Sequence, residues 1–468
     1  MEKHVKNFWI GLPLLFLIGT LFINPGCRKD LLMSDDNLAF STDTVIFDTV
    51  FTTVGSSTRR FKIYNPSSNP VKISSVELDG GSNSPYRINL DGEPGTSFKD
   101  VTIPGEDSLF VFVEVTLDPN NMTSPLIVED QVHFLTNGSE QKVQLAAWGQ
   151  DAYFHYQDKN EGIWPKDKPH VIYDYALVDS SKSLTIQNGT HVHLHKNSLL
   201  VIRKATLTIN GTAEDKVVFE GDRLESFYED VKGQYYGIYF DRALSSTIDH
   251  AIIKNGTAGI HLFGDAPSNT DYTLRITNSE LYNHASYGIF NYSGASIYGE
   301  NLNVYNNTQY AFFLLEGGSY NFRHSQFLSY GSDGNQPAFA IKNYFTRDDG
   351  ITYVGSINEG AIGNSIIYGG GDVQIAYDTL NDGGSIPIEF EYKNNLIRQE
   401  ETEEGSNGFI GNIWNTDPLF EDPSNLLYKI TSNSPCRNAG SSSYAIPTDI
   451  EGNVRDMTNP DIGAFEIN

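Results

Sequence analysis

Asn278-Ser279-Glu280-Leu281-Tyr282-Asn283 is followed, 23 residues later, by Asn301-Leu302-Asn303-Val304-Tyr305-Asn306. Another 23 residues on stands His324-Ser325-Gln326-Phe327-Leu328-Ser329. One step earlier lies His250-Ala251-Ile252-Ile253-Lys254-Asn255, offset by 28, with Gly264 to Tyr272 able to hold the extra residues. Later copies, after insertions, are Asn364-Ser365-Ile366-Ile367-Tyr368-Gly369 and Asn394-Asn395-Leu396-Ile397-Arg398. A second short strand travels with the repeat: Gly259-Ile260, Gly288-Ile289, Ala311-Phe312 and Ala338-Phe339. A unit of about 20–30 residues holding several short strands is one turn of a parallel β-helix. The Leu-x-x-Leu-x-Leu spacing of a leucine-rich repeat is absent.

The columns of this repeat have a physical meaning. Ile253, Leu281, Val304, Phe327, Ile367 and Ile397 point inward and stack, coil on coil, into one core. Asn255, Asn283 and Asn306 form a structural ladder at a corner, where an amide can bond the backbone and the amide above it. Shorter strands divided by Asn188-Gly189 and Asn210-Gly211 extend the pattern back to residue 184.

Outward from the repeat, the chain changes character. Residues 151–183, with Trp164, Pro165, Pro169 and Tyr173 among charges, read as a linker and cap. Residues 38–150 hold alternating segments such as Phe61-Lys62-Ile63-Tyr64 and Val132-His133-Phe134, separated by turn clusters such as Asn65 to Pro70. That spacing predicts an antiparallel sandwich of about seven strands, acting as a spacer. Residues 27–37 are a polar tether. Residues 1–26 read as an export signal: Lys3 and Lys6 precede an apolar run from Phe8 to Ile23, and Gly26-Cys27 follows. Charge sums to −27, from 59 Asp+Glu against 32 Lys+Arg, which opposes nucleic acid by repulsion. Cys436 is the one cysteine besides Cys27, so no disulfide framework exists and a buried apolar role suits it.

Three resemblances follow from these residues. Gly26-Cys27 resembles the lipobox of bacterial lipoproteins, which implies lipidation of Cys27, a membrane partner reached through the lipid anchor, and an outer-membrane location facing periplasm or cell surface. Arg60 to Asn65 followed by Val71-Lys72-Ile73 resembles the immunoglobulin-like modules of bacterial surface proteins. Asn278-Ser279-x-Leu281-x-Asn283 looks like the repeat of right-handed β-helix proteins that include pectate lyases and alginate- or chondroitin-cleaving lyases. Phe219 to Leu224, Gly233 to Ile238, and the tail segments Asp417 to Phe420, Ser434 to Gly440 and Asp461 to Glu466 resemble β-helix lipoproteins of the Bacteroidota kind. The predicted fold class is all-β: an N-terminal β-sandwich, then a right-handed parallel β-helix over 184–468 with a C-terminal cap.

Chemistry is harder to read. A lyase on this scaffold needs a base, a positive charge or calcium at the uronate, and a groove. The outward position after the core residue reads Lys254, Tyr282, Tyr305, Leu328, Tyr368 and Arg398, so the two cations stand at opposite ends. His191, His193 and His195 alternate along one strand, but no acidic or cysteine ligand adjoins them, and a row of exposed or stacked histidines is the preferred reading over a metal site. Asp222 to Asp230 mixes acids and aromatics without EF-hand spacing and reads as a solvated loop. No motif demands a cofactor, and the acidic balance is compatible with calcium. The most suggestive feature is aromatic: Tyr282, Tyr305 and Tyr368 on one face, and His261, Phe290 and Phe313 on another, are the candidate ligand-binding residues. The opposing expectation is that loops, especially 331–360, fold back and cover both rows. Two functions stay open: a surface lipoprotein binding a polysaccharide or a surface protein without catalysis, and a calcium-assisted lyase or glycoside hydrolase acting on acidic polysaccharide.

Overall fold

The computed structural model describes residues 37–118, 126–268, 271–331, 333, 336–405 and 408–467. The expected export signal, Cys27 and the expected tether up to residue 36 lie outside the described residues. The chain divides into two compact units, one built mainly from residues 54–118 and 127–148, the other mainly from 149–468.

The first unit is a sandwich of two five-stranded sheets. It holds ten strands rather than about seven, because short edge strands such as Ala39–Phe40 and Glu93–Gly95 fall below what alternation can signal. Along Arg59–Tyr64 and Ser108–Val115, paired antiparallel, Phe61, Ile63, Val111 and Val113 point inward by the two-residue period of a strand. Phe61 meets Phe134 of the opposite sheet edge to face at 6.2 Å. The Tyr86 ring is buried there, and its hydroxyl donates to the Val128 carbonyl at 2.7 Å.

The second unit is a parallel β-helix of three strands per coil. The first face carries Thr206–Asn210, Ser246–Asp249, Ser319–Arg323 and Gly360–Gly363; the second carries Val217–Gly221, Ala251–Lys254, Gln326–Leu328 and Ile366–Tyr368. Leu274–Tyr282 and Ser296–Tyr305 run across both faces. The third face carries Gly237–Asp241, Ala258–Phe263, Tyr287–Tyr292, Tyr310–Leu315 and Phe339–Lys342. Each strand pairs in parallel with its equivalent one coil on. The sheet opens at Tyr153–Lys159, which pairs with His170–Val178, inside the stretch expected to be linker and cap. There Trp164 stacks over both His155 and His170, at 4.3 and 4.4 Å, an aromatic version of the aliphatic stacking that follows.

The core column is continuous: Ile253 lies beside Leu281, Leu281 beside Val304, Val304 beside Phe327, Phe327 beside Ile367, and Ile367 beside Ile397. All six are buried in one cluster. On the third face Ile260, Ile289, Phe312 and Phe339 do the same. The first face contributes Ile248, Ile276, Phe322, Ile362 and Tyr392.

The repeat's polar residues build the corners. His250, Asn278, Asn301, His324, Asn364 and Asn394 all have φ between 45° and 56°, turning the chain from first to second face in one residue. Left-handed backbone costs most residues about 1–2 kcal/mol, and asparagine tolerates it best after glycine. Ser279 accepts from the Ala251 N–H of the preceding coil at 3.0 Å and donates to the Thr277 carbonyl at 2.6 Å. Ser325 repeats this two coils on, toward Leu302 N–H of the coil before it and the Arg323 carbonyl. At the next corner Asn283 donates to Asn255 at 2.6 Å, and Asn306 donates to Asn283 at 3.1 Å.

Candidate functional site

The two aromatic rows meet different fates. On the second face, Tyr282 and Tyr305 stack at 4.8 Å with their planes 6° apart. The C-terminal segment then crosses this face: Tyr428 packs on Tyr305 at 5.1 Å, and Phe420, Ile430, Cys436 and Ile462 join the same cluster. Tyr305 is left 6% exposed and Tyr368 8%. These two are corrections to the sequence reading. They are the floor under the chain's own tail and offer no surface to a ligand. Burial accordingly drives the phenols of Tyr282 and Tyr305 well above the usual range. An outward apolar row on a solenoid has to be covered, and here the covering segment lies more than a hundred residues further along the chain.

The third face keeps its row. Tyr239, His261, Phe290 and Phe313 follow one another up the coils at ring separations of 4.8, 4.7 and 5.3 Å. Tyr287 and Tyr310 form a parallel column beside them, and Phe263 and Tyr292 a third. All eight are half-buried. Tyr236 donates its hydroxyl to Nδ1 of His261 at 2.6 Å, and burial brings the His261 imidazole down to about 4, so it is neutral. Phe290 and Phe313 lie within 8° of parallel. Rings stacked along the axis spend their faces on one another and turn edges to solvent, which stabilises the coils but suits sugar stacking poorly.

Where this face turns into the first, the chain leaves a cleft of about 870 Å³. Asp265, Asp271, Tyr272, Glu316, Tyr353 and Glu359 line it, with serine and glycine backbone between them. Glu359 accepts from the Tyr272 hydroxyl at 2.7 Å and from Asn321 at 2.7 Å. Glu316 accepts from Ser293 at 3.2 Å and from Arg347 at 3.3 Å, and that guanidinium lies 3.6 Å from the Tyr353 ring centre. Arg275 lies over the rings of both Tyr272 and Tyr298, at 4.8 and 4.9 Å. Fixed carboxylates, hydroxyls and two tyrosine rings around one hollow make a mostly polar set of aimed hydrogen-bond acceptors. No sequence pattern pointed here, because much of the lining, residues 265–268, 271–272 and 353–359, comes from corner insertions that fall between repeats.

The remaining candidates are engaged elsewhere. Lys254 pairs with Glu220 at 3.2 Å and Arg398 with Asp372 at 2.7 Å, so neither cation of the second face stands as an unpaired base. In the loop after Gly221, Arg223 pairs with Glu225 and covers the Tyr228 ring at 4.2 Å. His195 turns to Asp222 at 2.7 Å. His191 and His193 instead face Glu220, which the sequence reading missed because it lies on the next coil, 27 residues beyond His193 and directly beside it in register. These three side chains bring their ligand atoms within 4.8 Å of one another, the one such group of His, Cys, Asp or Glu among the described residues.

No family model matches the chain, and no curated protein matches it. Among solved structures, a family 123 glycoside hydrolase from Clostridium perfringens, described for glycolipid glycan hydrolysis, is 10% identical over 25% of this chain, with a TM-score of 0.18. This chain spans 26% of that enzyme's length. PapD-like domain 7 of human CEP192 is 10% identical, over 26% of this chain and 92% of that domain, at a TM-score of 0.18. The alkylpurine DNA glycosylase AlkC of Pseudomonas fluorescens, bound to DNA with an abasic-site analog, is 13% identical over 24% of this chain and 30% of its own, at 0.15. Likenesses this partial carry no argument about fold or activity, and the reading of this chain rests on its own geometry.

Proposed function

We propose that this chain is a cell-envelope lipoprotein, anchored through Cys27, whose β-helix binds an uncharged glycan in the corner cleft without catalysis. The observation that carries the reading is the lining of that cleft: carboxylates and hydroxyls already pinned by hydrogen bonds, with Tyr272 and Tyr353 beside them. Pinned acceptors recognise sugar hydroxyls with little ordering cost. The same carboxylates repel uronate chains, which weighs against the lyase reading. A hydrolase needs one carboxyl group that can act as an acid while the other stays ionised. Glu316 against Arg347 and Glu359 under two donors are both held as acceptors, which favours binding over hydrolysis.

The test is a panel of immobilised neutral and uronic polysaccharides. Retention on a neutral glycan, weakened at least about tenfold by Tyr353→Ala and by Glu359→Gln, is the expected result. Unsaturated-product absorbance from a uronic substrate would establish the lyase reading instead, and unchanged retention in both variants would move the site elsewhere. For the anchor, Cys27→Ser should shift the protein from the membrane fraction to the soluble one. Continued sedimentation of that variant with membranes would remove the lipid from the proposal.

A further inference from the structure

We infer that His191, His193 and Glu220 form a binding site for a divalent transition ion of the zinc type, separate from the corner cleft. His191 and His193 project from one side of the strand His191–Leu194, as residues two apart must. The parallel register sets Glu220 beside His193, so the third ligand is supplied by the next coil. Nδ1 of His191 lies 3.6 Å, and Nδ1 of His193 3.7 Å, from the same oxygen of Glu220, Oε1. Ligands about 2.0–2.1 Å from a tetrahedral zinc stand about 3.4 Å apart, so both imidazole-to-carboxylate distances are near the required spacing, and all three ligand atoms lie within 4.8 Å of one another. Two imidazoles and one carboxylate are a borderline ligand set. They favour zinc and its first-row neighbours over calcium or magnesium, which take oxygen ligands.

The surroundings fit the same reading. His193 is buried, so an ion held there would be shielded from solvent on that side. Glu220 is half-buried, and its carboxylate faces His191, His193 and Lys254. Lys254 holds the other oxygen, Oε2, at 3.2 Å, which orients the carboxylate and leaves Oε1 toward the histidines. His191 is largely exposed, which gives the ion an entry and leaves a coordination position for water or a ligand atom. The competing contact is the Gly221 carbonyl, 3.3 Å from Nδ1 of His193, which the metal would replace.

The whole chain, stripped with EDTA, should take up a single equivalent of zinc chloride in calorimetry and show no comparable uptake of calcium chloride. His191→Ala and Glu220→Gln should each weaken zinc at least about tenfold while leaving the circular dichroism spectrum unchanged. Because His191 is exposed, its variant reports on the site without disturbing the core. If the three side chains are only an imidazolium–carboxylate ion pair, the wild-type chain takes up no stoichiometric zinc and the inference fails. Equal zinc affinity in both variants, or calcium bound as tightly as zinc, overturns it as well. None of these outcomes depends on whether the cleft binds a glycan.

Discussion

At the scale of single residues, the buried histidines are the most informative side chains. His284 is fully buried behind the asparagine corner, where Nδ1 accepts from Gly256 N–H at 3.1 Å and Nε2 donates to the Ile253 carbonyl at 3.1 Å. Burial brings its imidazole down to about 3, and brings His170 down to about 4. Both are therefore neutral when folded, whereas the unfolded chain protonates them as pH falls below about 6.5. The unfolded state then binds more protons, so their stabilising contribution is complete at neutral pH and drains away between about pH 6.5 and pH 3–4. Each tenfold loss of proton affinity on folding corresponds to about 1.4 kcal/mol, so the pair should cost several kcal/mol by the low end of that window. The urea midpoint should fall steeply from pH 7 to pH 4. His284→Gln should lower the neutral value yet flatten the slope; an unchanged slope would assign the acid sensitivity to other groups.

The coil is the element in which sequence and structure correspond most closely. Six inward residues, from Ile253 to Ile397, could be named from spacing alone because each must meet its counterpart in a parallel register. The first face was not legible in the same way. Leu274, Ile276 and Ile297 sit on strands that run on through a one-residue left-handed corner, so no Gly or Pro marks where one face ends and the next begins. The row Tyr282, Tyr305 and Tyr368 was legible as outward, but its cover was not, since nothing local encodes a contact with Tyr428. Glu220 was invisible as a ligand because its partners are neighbours only across a coil. If the coil is the true unit, removing residues 279–301 leaves Asn278 in place of Asn301 and rejoins Leu302, Val304 and Tyr305 in register. That variant should keep its β-sheet circular dichroism and melt cooperatively. Removing 279–300 instead shifts the strand by one residue, turning core side chains outward, and should abolish the cooperative melt. Similar melts for both deletions would contradict the three-faced register.

For the molecule as a whole, the tail decides whether the solenoid is a closed surface. Residues 418–467 cover Tyr305, Leu328, Ile366, Tyr368 and Leu396, and seat Cys436 so deeply that burial pushes its thiol up to about 12. The fastening is Arg455. Its guanidinium is completely buried, pairs with Glu466 at 3.0 Å, and donates to Asn301 of the solenoid corner and to the Gly463 carbonyl, each at 3.0 Å. Glu466 also accepts from the Asp456 and Asp461 N–H groups at 3.0 Å, so one carboxylate ties the tail together and to the arginine. A buried pair of this kind adds little net stability, yet removing one partner strands the other charge at a cost of about 3–5 kcal/mol. Arg455→Met should therefore lower the melting temperature and raise dye binding to exposed apolar surface, because a loosened tail uncovers the tyrosine row. Adding Glu466→Gln in the same chain removes the stranded charge and retains an acceptor for the backbone, so part of the loss should return. An Arg455→Met chain that melts with the wild type, with its tail still resistant to protease, would show that apolar packing alone holds this segment down. Hydrophobic packing of the tail would then be what keeps Tyr305 and Tyr368 covered, without need of the lock.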